Sequence, residues 1–92
     1  MEHPVIFVIA DGFYYFGSEV EVQDGYIGLT EAAMFGGFTG GKGMPGVARG
    51  DNEAKVTLDR FDPKKILLFP VSACRGIIPC VDLYKFKGTT LR

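Results

Sequence analysis

The apolar pattern begins with PVIFVIA, Pro4 to Ala10, a continuous run rich in β-branched residues. It has the length of a strand and is far too short for a helix, and its lack of alternation predicts burial on both faces. Asp11-Gly12 follows at once, and Asp-Gly between two such runs predicts a two-residue type I′ turn with φ > 0 at both central residues. That turn would set Ala10 opposite Phe13, Ile9 opposite Tyr14, Phe7 opposite Phe16 and Val5 opposite Ser18. The second strand, Phe13 to Val22, settles into alternation in SEVEV, which directs Val20 and Val22 inward and Glu19 and Glu21 outward. Gly17 lies in its middle, where it predicts a bend or bulge.

Asp24-Gly25 repeats the turn signal and would set Val22 opposite Ile27 and Val20 opposite Leu29. Both turns then place Tyr14, Phe16, Val20, Val22, Ile27 and Leu29 on one face with Val5, Phe7 and Ile9. The result is a three-stranded meander over Pro4 to Ala33. A glycine-rich connection follows between strands 3 and 4, GGFTGGKGMPGVARG from Gly36 to Gly50, with one helical turn expected near Pro45 to Arg49. Ala54 to Phe61 alternates as a fourth strand, with Val56, Leu58 and Arg60 in one register against Lys55, Thr57, Asp59 and Phe61. Asp62-Pro63 turns the chain into a fifth strand, Lys65 to Val71, and Arg75 to Pro79 makes a short sixth. Pro70 and Pro79 suit edges and bends. The basic tail at 85–92 is expected to be loose. No segment carries a 3.6-residue period, so the expected fold is all-β: a small, strongly bent antiparallel barrel of about five to six strands, of the SH3 or Sm-like kind.

Composition changes this picture in two ways. At 92 residues the chain is expected to form a single domain, and one that small is marginal on its own core alone. With 47% hydrophobic residues, some apolar surface is expected to be covered by a second copy, making a homo-oligomer. The formal net charge of −1 conceals an asymmetry: Met1 to Gly41 holds six acidic and no basic residues, whereas Lys42 to Arg92 holds ten basic and five acidic ones. Either this is a solvated mixed surface or opposite faces of two copies attract. Cys74, Cys80 and the one histidine, His3 at an end expected to fray, form no metal-ligand pattern, so neither a metal nor a cofactor is expected. The two thiols read as buried small hydrophobes, with a disulfide as the alternative. Val5 to Ala10 is too short for a secretory leader and follows Glu2, and no run approaches the roughly 18 to 20 apolar residues of a membrane span, so a soluble cytoplasmic protein is the expectation.

Candidate chemistry centres on the glycine-rich stretch, where Gly36 to Lys42 formally satisfies G-x-x-x-x-G-K. A working phosphate loop needs Ser or Thr next and a helix immediately after. Here Gly43 replaces the hydroxyl residue and Met44-Pro45-Gly46 follows, which argues against nucleotide hydrolysis. Two readings stay open: an anion-binding nest of glycine N–H groups assisted by Lys42 and Arg49, or a plain connection. Hydroxyls at Ser18, Thr39, Thr57 and Ser72 have no base to activate them, so the chain is not expected to be an enzyme. Single-stranded nucleic acid is not the expected partner either, because the near-neutral charge lacks the basic footprint of a generic binder.

The order of features resembles a family of short proteins encoded by tailed phages and prophages. The resemblance is carried by the opening apolar strand, by Ala10, Gly12, Phe16 and Gly17, by DGYIGLTEA from Asp24 to Ala32, by Ala48-Arg49-Gly50 and by a closing IIPC from Ile77 to Cys80. It implies provenance more than mechanism, and directs expectation to small inhibitors that bind a host protein or sequester a host nucleotide signal. The leading expectation is a non-enzymatic, oligomeric module for an anionic, nucleotide-like ligand. Its candidate residues are Phe35 and Phe38 for stacking, Gly40, Gly41, Lys42 and Gly43 for the nest, and Arg49, Arg60 and Arg75 for charge. The competing class is a module that blocks a host protein.

Overall fold

A computed structural model describes residues 3–92, leaving Met1 and Glu2, the first of the acidic residues counted above, outside the described part. The chain runs β1 (Pro4–Ile9), β2 (Tyr14–Glu21), β3 (Tyr26–Thr39), α1 (Gly43–Arg49), β4 (Lys55–Arg60), β5 (Leu67–Pro70), a 3-10 turn (Val71–Ala73), β6 (Cys74–Pro79) and β7 (Thr89–Leu91). The strands form one mostly antiparallel, mixed sheet in the order β6-β1-β2-β3-β4-β7, with β5 pairing β3 off that path. The expected meander and three later strands are there. The sheet is not a closed barrel, because β6 and β7 share no ladder. The seventh strand comes from the tail expected to be loose: Thr89–Leu91 pairs in parallel with Val56–Leu58. Among the described residues no helix is long and apolar enough to cross a membrane.

Both hairpins differ from expectation by one residue. Ile9 N–H bonds to Phe13 O (3.0 Å) and Gly12 N–H to Ile9 O (2.8 Å), so the first loop has three residues, Ala10 to Gly12. A type I′ turn would force Asp11 and Asp24 to positive φ, at roughly 1–2 kcal/mol each. The chain instead places only Gly12 (φ 85) and Gly25 (φ 83) there. The one-residue slip reverses β2 relative to both neighbours. Ile6 now faces Phe16 and Phe7 faces Tyr15, while Glu19 faces Leu29 and Val20 faces Gly28. Phe16 therefore leaves the face it was expected to share with Phe7, and Val20 and Val22 leave Leu29.

Two cores result, on opposite faces of the sheet. Ile6, Phe16, Ala33, Phe35, Val56, Leu58 and Leu83 pack with Val47 and Ala48 of α1. Val5, Phe7, Ile9, Leu29, Ala32 and Phe69 form the other. Each fully buried Phe or Leu contributes about 1.5–3 kcal/mol, so neither core is dispensable. The glycine-rich stretch is likewise not one loop. Gly36 to Thr39 completes β3, and the helical turn expected near Pro45 begins at Gly43 and ends at Gly50. It orders because Gly46, Val47 and Ala48 are buried against the first core. His3 is not frayed: its N–H bonds to Ser18 Oγ (3.3 Å) and its carbonyl accepts from Glu19 N–H (3.0 Å). Cys74 and Cys80 are free thiols.

A bulge lies at Gly17 as expected, but the extra residue is on the partner strand β3 and not on β2. Phe16 pairs Ala33 and Ser18 pairs Thr30, so Glu31 and Ala32 oppose the single residue Gly17. A Cβ at Gly17 would meet Thr30 O at 2.8 Å and Leu29 Cβ at 3.1 Å. Glu31 absorbs the extra residue at φ 51, the left-handed region. Chemical denaturation should show Gly17→Ala less stable by about 1–3 kcal/mol, with Glu31→Gly tolerated because strain relief offsets the added chain entropy. A tolerated Gly17→Ala would contradict this account of the bulge.

Candidate functional site

β3 is long enough to use two partners on one edge. Tyr26 to Leu29 pairs with β5, and Ala33 to Thr39 pairs with β4. The change of partner falls at the Glu31 bulge, and the β4–β5 connection leaves the sheet there, held by Phe61 N–H on Ala32 O (2.9 Å). The fork opens a cleft of about 650 Å³, lined by Glu31, Ala32, Arg60, Phe61, Pro63, Tyr84, Leu91 and Arg92. Its volume lies in the range of small-molecule sites.

Each wall has a structural origin. Tyr84 packs edge-on against buried Phe16 at 5.1 Å, and its hydroxyl donates to the Glu31 carbonyl. That bond ties down the strained residue. Arg92 follows β7, where its N–H bonds to Leu58 O (2.8 Å) and its carbonyl accepts from Arg60 N–H (3.2 Å). Its guanidinium grips Asp59 with two bonds of 2.9 and 3.0 Å. The pair crosses Gly36, where a Cβ would overlap the Arg92 guanidinium. Arg60 is exposed and makes no ion pair among the described residues. Beside it Phe61 is 41% exposed, its ring stacked on Tyr15 with centroids 6.3 Å apart. Burial first, then the Glu31 carboxylate, push the Tyr84 phenol up to about 12, against the opposing influence of Arg60 and with a further push from Asp82.

Of the residues singled out in the sequence, only Arg60 lines this cleft. Phe35 is buried in the first core, and Phe38 packs against it and Tyr14, with ring centroids 6.1 and 5.7 Å away. Gly40, Gly41, Lys42 and Gly43 do come together, but with Asp51 and Glu53, around a hollow too small for a water molecule. Arg49 is committed to Asp51 through bonds of 3.2 and 2.7 Å. That bond chiefly, with a smaller influence of Lys42, holds the Asp51 carboxyl below its ordinary value, so the cations of this turn already have an anion. Arg75 lies on β6, separated from β4 by β1, β2 and β3 in the sheet order. Glu31, Phe61, Tyr84 and Arg92 carried no signal in the sequence as site residues. The left-handed residue was not a glycine, and two of the others belong to segments expected to be irregular or loose.

The Tyr84 proton is held more tightly in the folded chain than in the unfolded one, whose tyrosines titrate near about 10. The stability this confers is complete below about pH 10 and is lost as pH rises through about 12. The difference between wild-type and Tyr84→Phe ultraviolet titrations should isolate one phenolate with a midpoint near 12. A difference midpoint near 10 would contradict the buried, carbonyl-bound phenol.

No protein-family model matches the chain, and no curated protein matches it.

Proposed function

We propose that the protein is a non-enzymatic binding module that sequesters an anionic, nucleotide-like small molecule in the cleft at the β3 fork. The observation that carries the reading is the juxtaposition there of Arg60, a guanidinium without an ion pair among the described residues, with the exposed Phe61, whose ring already stacks on Tyr15. A phosphate would accept charge-assisted bonds from Arg60, while a base would lie on Phe61. Leu91, Pro63 and Ala32 supply the apolar walls. The glycine-rich turn is the weaker candidate, because Asp51 already neutralises Arg49 and faces Lys42. Binding without turnover fits the lining: Tyr84 is held protonated, and its hydroxyl is engaged by a backbone carbonyl instead of a base.

The phage resemblance of Asp24–Ala32 and Ile77–Cys80 supplies the setting, in which a host-defence nucleotide signal is captured in the host cytoplasm. The SH3- or Sm-like barrel analogy belongs to the same proposal. A single-strand nucleic-acid binder is less well supported, since Asp59 occupies Arg92 and leaves Arg60 as the cleft's one unpaired cation among the described residues, short of the basic track a polyanion needs. The reading as an inhibitor of a host protein draws instead on exposed apolar residues outside the cleft.

Calorimetric titration with linear nucleoside phosphates and cyclic dinucleotides tests the proposal. Binding should weaken at least about tenfold in Arg60→Ala, the loss of one charge-assisted bond, and stay unchanged in Lys42→Ala. No heat with any nucleotide, or a loss confined to Lys42→Ala, would sink it.

A further inference from the structure

The register slip that sends Val20 and Val22 away from Leu29 leaves an apolar sheet face without a covering element. Across β2, β3 and β5, Val20 faces Gly28, and Gly28 faces Leu68; Tyr26 faces Pro70 on the same side. Val20, Val22 and Ile66 lean together over Gly28, where methyl carbons of all three would lie within 3.0 Å of an added Cβ. Tyr26, Ile66 and Leu68 are 50%, 51% and 49% exposed. The reverse side of the same strands is already buried through Leu29 and Phe69. An antiparallel sheet with one solvated face reads apolar-in and polar-out, whereas β3 and β5 are apolar on both sides here and β2 turns Val20 and Val22, not Glu19 and Glu21, to this one. Such a pattern marks a surface that is covered in the working state.

The charges flanking the face identify what covers it. Exposed Lys64 and Lys65 lie at the end where β5 begins, and exposed Asp24 lies at the opposite end, in the β2–β3 turn, while Glu21, opposite Ile27, belongs to the reverse side. Neither the two lysines nor Asp24 makes an ion pair among the described residues. A surface that is positive at one end, negative at the other and apolar between is complementary to itself after a two-fold rotation. Rotation about an axis across the strands sets the lysines of each copy against Asp24 of the other, twice. Rotation about the strand direction sets like charges together and is disfavoured. We infer that this face is the interface of a two-fold homodimer, with a second copy of the chain laid antiparallel across it. The acidic first part and basic second part of the sequence then have a use: they fix the orientation of that pairing.

Sedimentation equilibrium over about 1–100 μM, the span in which interfaces of modest size assemble, tests the inference. Wild type should be a dimer. Leu68→Asp, at an exposed position, should raise the dissociation constant about a hundredfold or more while circular dichroism stays unchanged. Lys65→Glu should weaken association about tenfold, because the pair occurs twice. Combining it with Asp24→Lys should restore wild-type association, which a merely structural effect of either change would not do. A wild-type monomer at the highest concentration, a dimer unaffected by Lys65→Glu, or failure of the double exchange to restore it overturns the inference. A monomer that instead retains a different protein through this face overturns it in favour of that partner. Nucleotide binding at Arg60 is read separately and does not bear on either outcome.

Discussion

A single fourteen-residue strand, β3, must pair with β2 on one side and with both β5 and β4 on the other. Two different strands can share one edge only if they diverge, and they diverge where β3 bends. The bend is made by inserting one residue opposite Gly17 and accepting Glu31 in the left-handed region. A left-handed non-glycine residue costs roughly 1 kcal/mol and persists only where its surroundings over-determine it. Here the surroundings are the Tyr84 hydroxyl on the Glu31 carbonyl and the Phe61 N–H on the next carbonyl. The strain, the fork and the cleft are therefore one feature.

From that bend the two cores follow. Ahead of the bulge Leu29 packs with Phe7 and Phe69, and beyond it Ala33 and Phe35 pack with Phe16 and Leu58 on the other side of the sheet. Distributing a small core in this way leaves part of the β2–β3–β5 sheet apolar on its outer side. The closing segment completes the arrangement, since β7 brings Leu91 and Arg92 to the cleft and Asp59 fixes the Arg92 guanidinium by a fork-like double bond. The pair is largely exposed, so its value lies in placing a side chain more than in stability.

Much of the architecture was legible in local sequence. Asp11-Gly12 and Asp24-Gly25 marked both hairpins, Gly17 marked the bulge and the prolines marked the edges. What failed was register, because the same Asp-Gly pair serves a two-residue and a three-residue turn and only the φ of the aspartate distinguishes them. One residue of slip was enough to exchange the faces of Phe16 and Val20. The tail misled for another reason: its strand is three residues long, and its pairing with β4 is a tertiary contact that no periodicity records. Among candidate site residues only Arg60 lines the cleft, and its charge is what marked it in the sequence. Glu31, Phe61, Tyr84 and Arg92 become neighbours only through the fork, and the glycine-rich turn drew attention because its composition imitates a phosphate loop while its packing does not.

If ligand capture belongs to the β3 fork, as proposed, and not to the glycine-rich turn, residue-resolved amide NMR will separate the two. Titrating labelled protein with a nucleotide should move the amides of Glu31, Ala32, Arg60, Phe61 and Tyr84 together along one saturation curve, leaving Gly40 to Gly43 unmoved. Shifts concentrated at Gly40 to Gly43, with the fork unchanged, would contradict it.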